Sequence, residues 1–368
     1  MRKSYHVFAL VAIIAIICLS GIFFSMQQTE TKNQTLTILC ATSLYYPLQK
    51  VQSDFEKAYP NINVEIQPHG SIQVIRQVTE ENETADLIMV ADYSLIPAMM
   101  YNADVPGTNQ GFADYYIRFA SNSMVLAYTN RSQYADDINS TNWYSILTQP
   151  NVKIGLVNPE LDSLGYRSLI AIQLASSYYG DPELFHDLIT NNFNPPIDCI
   201  ANGSNYVITI PTTQQPSGDK ITLRASEVDL IPLLQEDYLD YCFLYLSNAK
   251  QYNFSYISLP DQINLGSTQY DENYSQVQVI YAHQRFTQIT LDRTGEAIYY
   301  GMTIPTNAPN PELATLFMQF ILNGQGKNDF AQSWQPILTP SFTDNLQLIP
   351  NSLQPYVAKD PLPVNYIS

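Results

Sequence analysis

Short apolar runs and longer stretches with helical spacing alternate along this chain. LTILCA (36–41), NINVEIQP (61–68) and ADLIMVAD (85–92) read as strands. Each leads into a segment whose apolar residues recur at helical spacing. These are LYYPLQKVQSDFEKAY after Thr42 and Ser43, IQVIRQVTEE after His69, Gly70 and Ser71, and YSLIPAMM. Pro47 falls within the first turn or so of its helix, where proline is tolerated. A βαβαβα opening predicts an α/β fold with a mainly parallel, doubly wound sheet.

The polar, glycine-containing segment 102–114 reads as a surface loop, and 115–129 as a pair of extended runs. A second α/β unit follows. It has a helix near WYSILTQ, the strand VKIGLVN stopped by Pro159, and a helix over 166–179. DPELFHDLITNN is a further helix. Residues 195–220 are rich in Pro, Gly, Thr and Gln around NYVITI and read as a hairpin or flap. The run from ITLR to YCFLYLS predicts a strand, a turn at Ala225, Ser226 and Glu227, a helix and a strand ending near Tyr245. QVQVIYAH, RFTQITLDR and AIYYGMTIP read as strands, NPELATLFMQFILNGQG as a helix stopped at glycine, and the chain from Trp334 as irregular. This late return of strand and helix predicts two lobes with two crossings between them. Residues 36–120 and 290–345 form one lobe, 121–289 the other, and 346–368 a Pro-rich tail.

Composition narrows the function classes. The chain has 368 residues and a net charge of −17, a poor match to nucleic acid. Residues 1–26 carry Arg2 and Lys3 ahead of the apolar run VFALVAIIAIICLSGIFF, which reads as a signal or membrane anchor with the body outside the membrane. Residues 27–35 form a polar tether. Glycosylation sequons occur at Asn33, Asn82, Asn130, Asn139, Asn202, Asn253 and Asn273. Cys40, Cys199 and Cys242 are too few and too scattered for a disulfide framework or a zinc site, although one bridge, Cys199 to Cys242, is open. There is no nucleotide-binding glycine fingerprint and no nucleophile elbow.

Candidate chemistry gathers where strands hand over to helices. Asp162 stands between VKIGLVN and its helix, at the carboxyl end of a strand, where open α/β sheets bind ligands. The plainer reading is a helix N-cap, since Asp is a favoured cap. Ser43 and Ser71 open helices in the first lobe. Their hydroxyls and the first-turn N–H groups would make a neutral cup for an oxyanion. Glu227 lies at another strand-to-helix junction, with Tyr245 on the strand that follows. The cleft so predicted has Ser43 and Ser71 on one wall and Asp162, Glu227 and Tyr245 on the other, and would close by hinge motion. Against binding stand two other classes. His69 beside Ser71, or Asp162 paired with Glu227 as general acid and base, would make an enzyme. His186 and His283 are far from this in sequence, and two Trp in all furnish little of a carbohydrate groove. A membrane-anchored sensor or adhesin with a degenerate cleft is the third class.

The motifs ATSL, HGS, ADLIMVADYSLIP, NPELDSLGYRS and SEVDLIPLLQEDYLDY, together with Tyr245, resemble in order those of the archaeal tungstate/molybdate-binding proteins of ABC importers. The resemblance spans most of residues 36–340. It implies a two-lobed type II periplasmic-binding-protein fold, with a mainly parallel sheet flanked by helices in each lobe. It also implies an extracytoplasmic, non-enzymatic protein without a cofactor, monomeric, that delivers molybdate or tungstate to a membrane permease. In such a protein Thr42, Ser43 and Ser71 match the positions that hold oxyanion oxygens. Asp162 with Ser163 and Leu164, Glu227 and Tyr245 match the contacts of the second lobe. Asp162 and Glu227 match the carboxylates that approach the metal and make it six-coordinate. This chain has Thr42 where the family usually has glycine, Leu244 where an acid is common, Asp162-Ser163-Leu164-Gly165-Tyr166-Arg167 in place of D-P-C-G-Y-R, and a longer 102–114 loop. A carboxylate facing a dianion is repelled, and more strongly in a water-poor cleft. Two of them fit an oxyanion whose central atom can expand its coordination, and they reject sulfate. Sulfate and phosphate are the alternative ligands if the pair does not reach the metal.

Overall fold

The computed structural model describes residues 34–282 and 292–361. The apolar leader, residues 27–33 of the tether, the Asn33 sequon, His283 and most of RFTQITLDR lie outside the described residues. Among the described residues, no helix is long and apolar enough to cross a membrane.

Three sheets organise the chain, and the two large ones are mixed where mainly parallel sheets were expected. Strands joined by crossover helices pair parallel, whereas strands that enter from the other lobe or return late in the chain pair antiparallel. The largest has seven strands, ordered Val357–Lys359, Ile337–Thr343, Ile117–Ser121, Tyr299–Thr303, Leu87–Val90, Gln34–Ala41 and Ile62–His69. Gln34–Ala41 is the parallel centre of the opening βαβ units and pairs on both sides. Tyr299–Thr303 enters antiparallel between Leu87–Val90 and Ile117–Ser121. The second sheet runs Ser255–Ser258, Met124–Tyr128, Tyr241–Tyr245, Ile154–Val157 and Ile221–Arg224. Only Asn122 and Ser123 separate its first strand in the chain, Met124–Tyr128, from Ile117–Ser121 of the other sheet. The crossing is pinned by the Asn122 amide, which donates to Ser247 Oγ at 2.8 Å and Tyr300 OH at 3.1 Å. A four-stranded sheet, containing the expected hairpin Asp198–Asn202 and Asn205–Ile210, packs on the helix Ser163–Tyr179 through Val277–Tyr281.

That helix is the axis of the second lobe. Its side chains are buried from Ser163 to Ser176, as expected of a helix apolar nearly all round. It sits hard against the strand before it. A Cβ on Gly165 would lie 2.5 Å from the Val157 carbonyl oxygen, so only glycine fits there. In the first lobe the helix Tyr45–Ala58 is held by aromatic contacts of Phe55 with Phe317 and Phe320 of the helix Pro311–Asn323.

The stretch after Trp334 departs from the expected irregular tail. Ile337–Thr343 and Val357–Lys359 extend the edge of the large sheet. Their inward positions include Ser341 and Thr343, both fully buried, so no apolar alternation marks the strand. The cysteines Cys40, Cys199 and Cys242 are all free, which removes the Cys199–Cys242 bridge. Cys199 instead donates to Gln173 Oε1 at 3.2 Å. Of the described sequons, Asn273 donates its amide to the Gln262 carbonyl at 2.7 Å, whereas Asn82, Asn130, Asn139, Asn202 and Asn253 are exposed.

Candidate functional site: a closed cleft with two buried carboxyls

The carboxyl ends of the strands from both large sheets meet at one place. Gln34–Ala41 ends at the tight turn Thr42–Leu44, Ile62–His69 at Gly70 and Ser71, Ile154–Val157 at the loop carrying Asp162, Ile221–Arg224 at Ser226 and Glu227, and Tyr241–Tyr245 at Tyr245 itself. This convergence follows from the strand directions and is where open α/β sheets place ligands. Every one of the sequence candidates, Thr42, Ser43, Ser71, Asp162, Ser163, Leu164, Glu227 and Tyr245, is buried.

Hydrogen bonds tie most of them together. Ser163 Oγ lies 3.2 Å from Tyr245 OH and 3.4 Å from Ser71 Oγ, the latter a contact between the two large sheets' loops. Ser71 Oγ also accepts from the Ala91 N–H at 3.0 Å. Tyr300, unmarked by the sequence reading, donates to Ser43 Oγ at 3.2 Å and packs its ring edge-on against Tyr245 at 5.9 Å. His69 reaches Gln77 rather than Ser71, so the suggested base–nucleophile pair does not form.

Asp162 is the helix N-cap, the plainer of the two sequence readings, and keeps one oxygen out of the cap. Its Oδ1 caps the helix Ser163–Tyr179 by accepting from the Leu164 N–H at 3.0 Å. Its Oδ2 is buried with no hydrogen-bond partner. Glu227 differs: the cap of the helix Glu227–Gln235 is Ser226, boxed with Asp229, and Glu227 is the first residue inside it. Freed from capping, Glu227 is wholly buried with neither oxygen bonded. Thr42 Oγ1 is a fourth buried atom of the site without a partner. Burial is the main reason both carboxyls resist ionisation. Asp162 is pushed up to about 6, with its cap bond opposing. Glu227 is pushed up to about 8, its rise increased by the charge of Asp162. The Thr42 hydroxyl tempers that rise without making a well-formed hydrogen bond.

At Ser71, and at the helix that Asp162 caps, the N–H groups are filled from within the protein. The Leu161 carbonyl accepts from both Ile72 and Gln73 at 3.2 Å, and the Leu164 N–H is occupied by Asp162. Gly70 makes this approach feasible, since a Cβ there would lie 2.3 Å from the Leu161 oxygen. Arg76 adds a bond to the Glu160 carbonyl at 3.3 Å. The lobes are therefore shut on one another. A cavity of about 460 Å³ lies elsewhere, lined by Tyr115, Ile304, Thr306 and Leu348, and takes in none of the candidates. Among the described residues no cluster of three or more His, Cys, Asp or Glu could hold a resident metal ion.

Behind the site lies a group the sequence reading passed over. Arg167 Nη1 donates to the Ala91 carbonyl at 2.7 Å and Tyr245 OH at 2.9 Å and lies 3.5 Å from Ser163 Oγ, while Nη2 is 3.6 Å from Asp92 Oδ2. Asp92 also accepts from Tyr166 OH, from Ser94 N at 2.9 Å and from Ser94 Oγ at 2.7 Å. Burial alone would raise the Asp92 carboxyl, but the charges of Arg167 and Arg293 and these hydrogen bonds hold it below the usual carboxylate range. An arginine in a helix otherwise free of charge was the available signal, because a buried guanidinium needs a partner.

Two lobes meeting over a buried polar site define a solute-binding protein of the periplasmic-binding type. The chain belongs to the bacterial extracellular solute-binding protein family, whose model matches residues 36–333. An uncharacterized solute-binding protein of Methanococcus maripaludis is 35% identical over 341 residues, covering 92% of this chain and 94% of that protein. The molybdate/tungstate-binding protein WtpA of Thermococcus kodakarensis is 36% identical over 354 residues, covering 92% of this chain and 93% of its own. In fold, the chain is similar to the periplasmic molybdate-binding protein of Azotobacter vinelandii, with a TM-score of 0.51 at 13% identity, covering 82% of this chain and 98% of that chain.

Proposed function

We propose that this protein captures molybdate or tungstate outside the cytoplasmic membrane and delivers it, without turnover, to the permease of an ABC importer. One observation carries the choice of ligand. Asp162 Oδ2, both Glu227 oxygens and Thr42 Oγ1 are buried with no partner in a site otherwise knit by hydrogen bonds. Buried polar atoms are seldom left so, and three of these four are carboxyl oxygens. An ordinary tetrahedral oxyanion offers them nothing but repulsion unless they are protonated. Molybdenum and tungsten in their highest oxidation state accept further oxygen ligands. Asp162 and Glu227 would complete a six-coordinate centre, giving up the protons that burial now favours. Thr42, Ser43, Ser71, Ser163 and Tyr245 then hold the oxo groups, and Leu164 positions Asp162 through its N–H. The relatives named for molybdate and tungstate support the same reading. Residues 36–120 with 290–345 and residues 121–289 act as the two jaws of a monomer, held at the membrane surface by the apolar N-terminus.

Calorimetric titration of the purified protein with molybdate, tungstate, sulfate and phosphate tests this. The expectation is tight one-to-one binding of the first two and no heat from sulfate. Binding of sulfate or phosphate in their place would discard the metal-coordination argument.

A further inference from the structure

A guanidinium that reaches from one lobe to the other, and ends on the residues that line the cleft, is well placed to do more than support the fold. Arg167 stands on the helix Ser163–Tyr179, which packs on the second sheet. Ala91 and Asp92 follow the strand Leu87–Val90 of the first. Asp92 is fixed at its own end by both Ser94 bonds, so the first lobe presents a rigid acceptor. Tyr166, next to Arg167, donates to the same carboxylate. On the other side Arg167 holds Tyr245 OH and lies against Ser163 Oγ, two of the proposed oxo-group contacts.

We propose that Arg167 is a positioning residue that clasps the first lobe through Ala91 and Asp92 and so couples occupancy of the cleft to its closure. This rests on the proposed oxyanion function. Opening the cleft returns Arg167 and Asp92 to water, while closing strips both and restores their mutual attraction. The two effects oppose each other, which leaves the empty clasp near balance. A dianion held by Tyr245 and Ser163 attracts Arg167, and the attraction is strongest when Ala91 and Asp92 lock the guanidinium away from water. The ligand therefore favours the closed state through differential contacts, as any ligand-driven shift requires. The clasp lies behind the metal-binding carboxyls, so it sets how long the cleft stays shut rather than whether the metal is coordinated.

The test compares wild type, Asp92→Asn, Tyr166→Phe and Arg167→Lys for tungstate association and dissociation by stopped-flow competition, with small-angle scattering of each protein. Asp92→Asn is expected to speed dissociation by about tenfold or more with association changed by less than about threefold. Arg167→Lys keeps a charge beside Tyr245 but loses the forked reach to Ala91 and Asp92, and should also dissociate faster. Tyr166→Phe removes one hydroxyl and should shift dissociation the same way by about threefold. It decides the matter if Asp92→Asn does not fold. Unchanged dissociation in the folded variants, with wild type binding normally, overturns the clasp. Failure of wild type to bind either ion overturns the function instead. The ligand-free radius of gyration then decides: a larger value for Asp92→Asn than for wild type supports the clasp, and equal values reject it.

Discussion

Three buried acid side chains stand at this cleft, one in one state and two in the opposite state. Asp92 is surrounded by Arg167, Tyr166 and Ser94, and its carboxyl is held below the usual range. Asp162 and Glu227 have between them one cap bond and one serine contact, and both carboxyls are pushed up, to about 6 and about 8. Burial is equal, so burial does not explain the difference; partners do. A carboxylate whose charge is satisfied inside the protein serves the fold or its motions. One left unsatisfied on an inner face is free to meet a partner from outside, which is the role proposed for this pair. This contrast separates the proposed binding pair from the proposed clasp although both lie within one hydrogen-bonded neighbourhood.

Neutralising the unsatisfied pair should have the largest effect. Glu227→Gln and Asp162→Asn should each weaken molybdate and tungstate binding by about 100-fold or more by calorimetry. Asn is itself a good N-cap, so Asp162→Asn tests the ligand role with the helix start preserved. Closure is the next target. Gly70→Ala would press a methyl group into the Leu161 carbonyl, so affinity should fall by about tenfold or more while each lobe stays folded, as read by titration and circular dichroism. The ligand-free protein should also reveal the raised carboxyls through pH. A folded state whose carboxyls hold protons that the unfolded chain has released gains stability at low pH. That gain is lost as pH rises through about 6 for Asp162 and about 8 for Glu227. The melting temperature without ligand should drop by about 5 °C or more between pH 5 and pH 9, and Glu227→Gln should flatten the drop. The smallest effect is expected of Thr42→Val, which removes one unpartnered hydroxyl and should cost about threefold to tenfold in affinity.

Much of the site was legible because strand-to-helix junctions announce themselves. Short β-branched runs followed by Ser, Asp or Glu and then a helical rhythm located Ser43, Ser71, Asp162 and Glu227, and the strand direction brought them together. What the pattern hid has a common cause, which is that long-range partners leave no local trace. Nothing near Asp92 shows that Arg167 will meet it, and nothing near Tyr300 points to Ser43. The free helix N–H groups were expected to face a ligand, but the Leu161 carbonyl had a shorter route to them in the closed form. The edge strand Ile337–Thr343 escaped because its inward positions hold serine and threonine in place of aliphatic residues.

In the proposed site Asp162 and Glu227 bind the metal and not the oxo groups around it. X-ray absorption at the tungsten edge on the protein loaded with tungstate measures this directly. Six oxygen neighbours are expected in wild type, with a lower number in Glu227→Gln. Four equivalent short oxygens in wild type would contradict that coordination and leave the two carboxyls as mere neighbours of a tetrahedral ion.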